Sequence, residues 1–335
     1  MSQQCKGRGS GGRDVTVSKA LSLLLRHAAE KEGLKVDAQG YANVADVLAW
    51  RKLKSLKVTL PEIVTAVSTS DKKRFALLHI PSAEAQQATT TSEPIGDQDP
   101  TSPDADAIPT TSAGQDDATA TALSVSDTDP SHFLIRATQG HSIKSVDAAS
   151  FQEKLTLEDE SKLPDTVVHG TFHTAWPLIL ASGGLRVMGR NQVHFATGPS
   201  LESVLAQTAA GPQGSSGDEG PKVISGMRRD AQVLIYIDLK KALAAGCPFW
   251  RSENGVILSD GMLSEGNASD PTQKFVPVEF FDVVVERKRG LGKIWERGQE
   301  LQALPEELLK KGNPKGRRTG VQKGKDRPNE ANPQP

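Results

Sequence analysis

The sequence predicts an α+β protein of two lobes, and three observations carry that expectation. Leucines at helical spacing dominate residues 15–80, and short β-prone runs bounded by turn residues dominate from Val167 onward. Between them, the stretch from Pro81 to Ser131 has not one Lys or Arg. A chain of 335 residues with 36% hydrophobic and 4% aromatic residues has too little apolar material to be packed throughout, so part of it is expected to be disordered. Cys5 and Cys247 stand far apart with no CxxC or Cys/His spacing, which argues against a disulfide framework or zinc. The polar, glycine-rich stretch Met1 to Asp14 lacks the apolar core of a secretory signal, and no run approaches the length needed to cross a bilayer. The expectation is a soluble intracellular protein of the cytoplasm or nucleus, monomeric and without a membrane role.

Residues 1–14 read as a disordered N-terminus. Ser18 can cap a helix from Lys19 to about Glu32, with an apolar stripe of Leu21, Leu24, Leu25 and Ala28 and a stop at Gly33. Arg26 and His27 sit late in this helix, beside the stripe. Asn43 is a cap for Val44 to Trp50, and Thr59-Leu60-Pro61-Glu62 is a capping box that starts a third short helix. Arg74 to Leu78 alternates like a strand, and a second apolar run, His132 to Ala137, can pair with it. Three short helices and a strand pair resemble a winged helix, so residues 15–80 and 132–145 are predicted to form one lobe.

The acidic stretch 81–131 then reads as a disordered insertion at the tip of that hairpin. A loop costs only about 0.6 kcal/mol per doubling of its length, so deleting roughly Ala83 to Asp129 is expected to leave turnover nearly unchanged. Residues 144–163 look like a link to a strand-rich second lobe over 163–290. Its runs include Val233 to Asp238, Gly255 to Leu258 and Phe280 to Val285, with a loop by composition from Gly211 to Gly220. From Lys310 to Arg327 there are eight Lys or Arg against one acid, so residues 309–335 are expected to form a disordered basic tail suited to a polyanion.

Generic motifs are absent: there is no G-x-x-x-x-G-K-[ST] phosphate loop, no G-x-G-x-x-G opening a helix and no H-E-x-x-H. The candidates for chemistry are Arg26, His27, Arg136, Gln139-Gly140-His141-Ser142, His169-Gly170-Thr171, Arg190, His194 and the pair Arg228-Arg229. Two β-prone runs that each carry a histidine, around His169 and His194, suggest a cleft for a nucleotide. Each candidate also has an ordinary reading as a solvated charge, a rim charge or a structural histidine, and His79, His132 and His173 have no motif around them.

Taken in order, these segments resemble the NAD-dependent RNA (tRNA) 2'-phosphotransferase family. Leu25-Arg26-His27, Gly33-Leu34, Asp37 and Gly40-Tyr41 form one match, and Ile135 to Ser142 a second. Val168 to Thr171, Gly184-Leu185, Met188, Arg190 and Val193-His194 form a third. Ser225 to Arg228, Ile237-Asp238 and Asn254 to Leu258 complete the set, which covers about residues 15–80 and 132–290. The resemblance implies transfer of a splice-junction 2'-phosphate from RNA, spliced tRNA in the family, to NAD as co-substrate, with no metal. It implies a winged-helix-like lobe beside an ADP-ribosyltransferase-like lobe. Arg26, His27, Arg136 and Arg228 would be the catalytic cations, with Arg229 as an alternative to Arg228. Gln139, His141 and Ser142 would join those cations around the RNA phosphate. NAD would be held by His169, Gly170, Thr171, Arg190 and His194. Many ADP-ribosyltransferases place a glutamate where this chain has the apolar Val256, with Glu253 nearby. An ADP-ribosyltransferase acting on nucleic-acid phosphates or on protein, and a non-catalytic nucleic-acid-binding protein, stay open as alternatives.

Overall fold

The computed structural model describes residues 10–70, 72–80, 112–209, 226–228, 230–263 and 274–310. Helix α1 (Ser10–Leu23) begins well before Lys19, so the expectation of disorder over residues 1–14 fails from Ser10 onward. Arg13 supplies the reason. Its guanidinium pairs with Glu62, and its Nη2 donates to the Leu56 carbonyl (3.1 Å), which clamps the first turns of α1 to the loop before α4. The helix then changes pitch into a π turn over Leu24–Ala28. Such turns insert an extra residue into the register and are frequent at functional sites. Here Leu24 and Leu25 stay fully buried while His27 is exposed.

Helices α2 (Val44–Ala49), α3 (Arg51–Ser55) and α4 (Leu60–Ser68) follow. The expected caps form: Asn43 Oδ1 accepts from the Ala45 amide (2.9 Å), and Glu62 Oε2 accepts from the Thr59 amide (3.0 Å). Strands β1 (Ala42–Asn43), β2 (Phe75–His79) and β3 (Phe133–Ala137) make a three-stranded antiparallel sheet in the order β1-β3-β2. The predicted hairpin pairing is present, with Phe75 opposite Ala137 and His79 opposite Phe133. Leu21, Leu24, Leu25, Ile63, Leu77 and Ile135 share one core that joins helices and sheet.

The inserted stretch is not structureless over its described part. Residues Ser112–Ser124 form helix α5, which packs on the free edge of β2. The Leu77 amide, which has no strand partner on that side, donates to Thr119 Oγ1 (3.3 Å), and Ala122 enters the helical core. Polar or small residues at helical spacing (Gln115, Thr119 and Ala122) make this packing possible without a large apolar face, which is why composition alone misses it. Residues 81–111 lie outside the described set.

The second lobe is larger than expected. Strands β4 (Glu153–Leu155), β5 (Val168–Thr171), β6 (Gly184–Arg186) and β7 (Val193–Phe195) come first, with helix α6 (Trp176–Ala181) between β5 and β6. Helix α7 (Leu201–Ala209), strand β8 (Val233–Ile237) and helix α8 (Leu239–Ala244) follow. Next come β9 (Phe249–Arg251), β10 (Ile257–Ser259), β11 (Phe275–Pro277), β12 (Phe281–Glu286), β13 (Gly292–Glu296), β14 (Gln299–Glu300) and helix α9 (Glu306–Lys310). They form a five-stranded sheet, β14-β13-β12-β8-β5, a four-stranded sheet, β4-β9-β10-β7, and the pair β11-β6. Phe195, Phe249 and Ile257 of one sheet share a core with Ile235, Phe281 and Val284 of the other. The segment read as a link thus contributes β4, and the chain beyond residue 290 contributes β13 and β14. The loop predicted at 211–220, Arg229 and the basic tail from residue 311 lie outside the described residues.

The two sheets meet at β5 and β7. Val168 and Ala196 exchange backbone hydrogen bonds of 2.9 Å in each direction, which sets His169 beside His194 across the seam. His173, by contrast, is buried and bonded to Glu286 Oε1 (2.9 Å), whose carboxylate also accepts from the amides of Lys288, Arg289 and Leu291. Its role is structural, as the absence of any motif around it suggested.

Candidate active site

The predicted residues converge where the loop after β3 meets the turn before β7. The Ser142 amide donates to the Arg26 carbonyl (2.8 Å), and His27 Nδ1 bonds Ser142 Oγ (2.9 Å). Across the lobes, the Asn191 amide donates to the His141 carbonyl and Asn191 Nδ2 to the Ile143 carbonyl, each at 2.9 Å. Gln152 and Gln192 pair reciprocally at 3.1 and 3.0 Å, and Asn254 Nδ2 donates to the Lys72 carbonyl (2.8 Å). These bonds fix the loops that carry Gly140 and Arg190 against one another.

Gly140 has φ +82°, a backbone that L side chains rarely adopt. A Cβ there would stand 3.6 Å from both Arg26 Nη1 and His194 Nε2, so the bare backbone leaves room between a cation from one lobe and a histidine from the other. Arg26 Nε and Nη2 and His194 Nε2 are buried with no hydrogen-bond partner among the described residues. Buried polar groups left in that state are uncommon and mark strain or a ligand position.

The electrostatics point the same way. Burial first, then the charges of Arg190 and Arg74, push the Arg26 guanidinium down to about 10. His27 is lowered by burial, Arg190 and Arg26, and Arg190 by burial and Arg228. His194 is pushed down to about 3 by burial and then Arg190. Every charge acting on Arg26, His27 and Arg190 is a cation. Like charges gathered without a carboxylate between them repel one another, and an anion relieves that cost. Arg74, just before β2, belongs to this group although no motif surrounds it. Its only sequence signal is its place beside the Lys72-Lys73 turn, which says nothing of where its charge acts.

On the seam, His169 Nδ1 lies 2.9 Å from the His194 carbonyl, and His194 Nδ1 lies 3.0 Å from the Gln192 carbonyl. A carbonyl only accepts, so each Nδ1 carries the hydrogen and each Nε2 keeps its lone pair in the neutral ring. Burial lowers His169 further, with a contribution from the charge of Arg228. Gly170 is required sterically, since a Cβ there would fall 2.3 Å from Met227 Cγ and 2.8 Å from Ala231 Cβ. Thr171 is buried beside it, and the exposed Arg228 places its guanidinium 5.4 Å from the centre of the Phe172 ring.

Three predicted phosphate ligands sit differently. Arg136 is only 2% exposed, with its guanidinium 4.0 Å from the Phe151 ring centre and 4.8 Å from that of Tyr41. Its Nη2 donates to Gln115 Oε1 of α5 (3.0 Å), the oxygen that also accepts from the Tyr41 hydroxyl (2.6 Å). Gln139 and His141 are also buried, His141 edge-on to Phe151 at 6.0 Å and pushed down to about 3 by burial. Gln139 Oε1 and Arg136 Nε are, like Arg26 Nε and Nη2, buried with no hydrogen-bond partner among the described residues. A strand-end arginine followed by a glycine loop gives no hint of this, because alternation along β3 does not reveal that α5 covers its outer face. Glu253 also faces away from the seam. Burial and the neighbouring Asp116 of α5 raise its carboxyl to about 8, and Val256 is fully buried in the core.

A cluster of cations shared by two lobes, next to a histidine seam, is the setting of a protein that handles phosphate. The family model described as RNA 2'-phosphotransferase, Tpt1 / KptA family, matches residues 12–261, and the chain belongs to that family of transferases. The tRNA 2'-phosphotransferase 1 of Danio rerio is 29% identical over 269 residues, covering 78% of this chain and 88% of that protein. The human tRNA 2'-phosphotransferase 1 is 33% identical over 249 residues, 74% of this chain and 70% of its own. The tRNA 2'-phosphotransferase of Saccharomyces cerevisiae is 31% identical over 251 residues, 75% and 80% of the two chains. Among the described residues, no helix is long and apolar enough to cross a membrane.

Proposed function

We propose that the chain transfers the 2'-phosphate left at a spliced tRNA junction to NAD, giving nicotinamide, a 2'-hydroxyl RNA and ADP-ribose 1'',2''-cyclic phosphate. In this reading the helical lobe is winged-helix-like and the two-sheet lobe ADP-ribosyltransferase-like. The observation that carries the proposal is that Arg26, beside the Gly140 backbone, is acted on by the cations Arg190 and Arg74, and His27 by Arg190 and Arg26, with no acid acting on either among the described residues. Guanidinium groups match phosphate oxygens in two-point contacts, and Arg26 has two buried donors without partners, so a dianionic phosphate fits. His27 is disfavoured as a cation by its neighbours. A phosphate dianion offsets those charges and lets the ring hold a proton against a phosphate oxygen.

NAD as co-substrate supplies the electrophilic ribose carbon and a leaving group. The Nε2 lone pair of His169 accepts from a ribose hydroxyl, the Gly170 backbone next to it holds the nicotinamide amide, and His194 and Thr171 complete the seam. Arg228 acts on His169 and Arg190, which suits it to the phosphates of the dinucleotide beside the seam. Arg190 stands between both groups and serves both substrates. Arg136, stacked and bonded beneath the loop, positions Gly140 and Ser142 in this reading rather than touching phosphate. The same cations stabilise charge on the phosphoryl group in the second step, when it passes to the ribose 2''-hydroxyl.

The test is incubation with NAD and an RNA carrying one internal 2'-phosphate. The expected products are nicotinamide, dephosphorylated RNA and ADP-ribose cyclic phosphate. Release of inorganic phosphate, or ADP-ribose left on the RNA, would contradict the proposal.

A further inference from the structure

Away from the cleft, two histidines without a sequence motif meet one carboxylate. We propose that His79, Asp127 and His132 form a zinc site that clips the end of the inserted segment to the β2–β3 hairpin. The inference is independent of phosphate transfer, and it goes against the expectation, drawn from cysteine spacing, that zinc has no place in this chain.

The three ligands reach one point for identifiable reasons. The antiparallel register sets His79, the last residue of β2, opposite Phe133, the residue after His132. Asp127 arrives from the chain between α5 and a short 3-10 turn, Pro130–His132, that Asp129 caps. His79 Nε2 lies 2.9 Å and His132 Nδ1 2.7 Å from the same oxygen, Asp127 Oδ2. One nitrogen from each ring and one carboxylate oxygen all lie within 4.8 Å of one another. Zinc bonds of about 2.0–2.2 Å at tetrahedral angles put ligand atoms about 3.3–3.6 Å apart, so each nitrogen–oxygen gap opens by about 0.5–0.7 Å while the two nitrogens, within 4.8 Å, settle to the same spacing.

Orientation is already supplied. Asp127 Oδ1 accepts from the Asp129 amide (2.9 Å), which aims Oδ2 at the two rings. Phe133 backs the His79 ring at 5.0 Å between centres. His132 Nε2 lies 3.9 Å from Asp129 Oδ2, so when Nδ1 gives its lone pair to a metal, the ring hydrogen moves to a nitrogen that faces a second carboxylate. That carboxylate–histidine arrangement is the usual outer support of zinc ligands. Side-chain exposures of 18, 23 and 21% for His79, Asp127 and His132 leave a fourth position open to water. Two imidazoles and one carboxylate suit zinc among common divalent ions, and magnesium or calcium would call for more oxygens.

The experiment uses the tag-free full chain, stripped with chelator and titrated with zinc chloride by calorimetry, alongside the double variant His79→Ala/His132→Ala and the single variant Asp127→Asn. Circular dichroism checks that each is folded. The expected result is one equivalent of zinc bound by the wild type, a melting temperature raised by several degrees in excess zinc, and at least a tenfold loss of affinity in both variants. Cobalt in the wild type should give the strong visible absorption of a tetrahedral site. No zinc uptake by the folded wild type, or equal uptake by the folded double variant, would overturn the proposal and leave the cluster as a hydrogen-bonded trio only.

Discussion

Replacing Gln115 by leucine tests whether the inserted segment belongs to the fold. Gln115 is 1% exposed, and its Oε1 serves two buried donors, the Tyr41 hydroxyl at 2.6 Å and Arg136 Nη2 at 3.0 Å. Leucine keeps the volume and removes the acceptor, so no large cavity confuses the result. A buried neutral donor left unsatisfied costs about 1–3 kcal/mol and a charged one more, so Gln115→Leu should destabilise by roughly 3–5 kcal/mol. Urea denaturation of Gln115→Leu measures this directly, with Asp117→Ala on the exposed face of α5 as a control expected to stay within about 0.5 kcal/mol of wild type. A Gln115→Leu protein as stable as the control would mean that α5 does not sit on Arg136. By the same reasoning, deleting residues 83–129 should destabilise the protein, because the deletion takes α5 with it.

Three other outcomes are expected. The Glu253 carboxyl, raised from 4.5 to about 8 chiefly by burial and then by Asp116, binds its proton more tightly in the fold than in the unfolded chain. Its contribution to stability is therefore complete below pH 4.5 and is lost as pH rises toward 8, and Glu253→Gln should flatten this slope and be the more stable protein at pH 8 in thermal melts. Gly140→Ala places a methyl 3.6 Å from Arg26 Nη1 and His194 Nε2 on a strained backbone, so turnover should fall at least about tenfold while the protein stays folded; unchanged kcat would remove Gly140 from the site. His169→Ala should raise KM for NAD by about tenfold or more, as expected for a lost hydrogen bond to a ribose hydroxyl, and an unaltered KM would separate the seam from NAD.

Much of the fold was legible because local chemistry agreed with it. The Asn43 cap, the Thr59–Glu62 box and the β2–β3 pairing all rest on neighbours in sequence or on alternation. The start of α1 was not, since it depends on Arg13 reaching Glu62, a contact between distant residues. Helix α5 was hidden by its own composition: small polar residues make a face that packs only because β2 offers an unpaired edge. In the site, Arg26, His27, Arg190 and the histidine pair converge as motif positions. The burial of Arg136 against α5 was not legible, because a sequence shows which residues are charged but not which side of a strand is covered. Arg136 lies beneath α5, while the charge of Arg74 acts on Arg26.

The central claim is that the phosphate is held by the cations shared between the lobes and passes to NAD. Single-turnover transfer of a radiolabelled internal 2'-phosphate from RNA to ADP-ribose cyclic phosphate measures this directly in wild type, Arg190→Ala and Arg136→Ala, with stability determined on the same samples. Loss of a donor to a developing phosphate charge costs about 10²–10³ in rate, so Arg190→Ala should lose transfer by that factor without losing stability, while Arg136→Ala should lose stability. Transfer at the wild-type rate by a folded Arg190→Ala protein would contradict the claim.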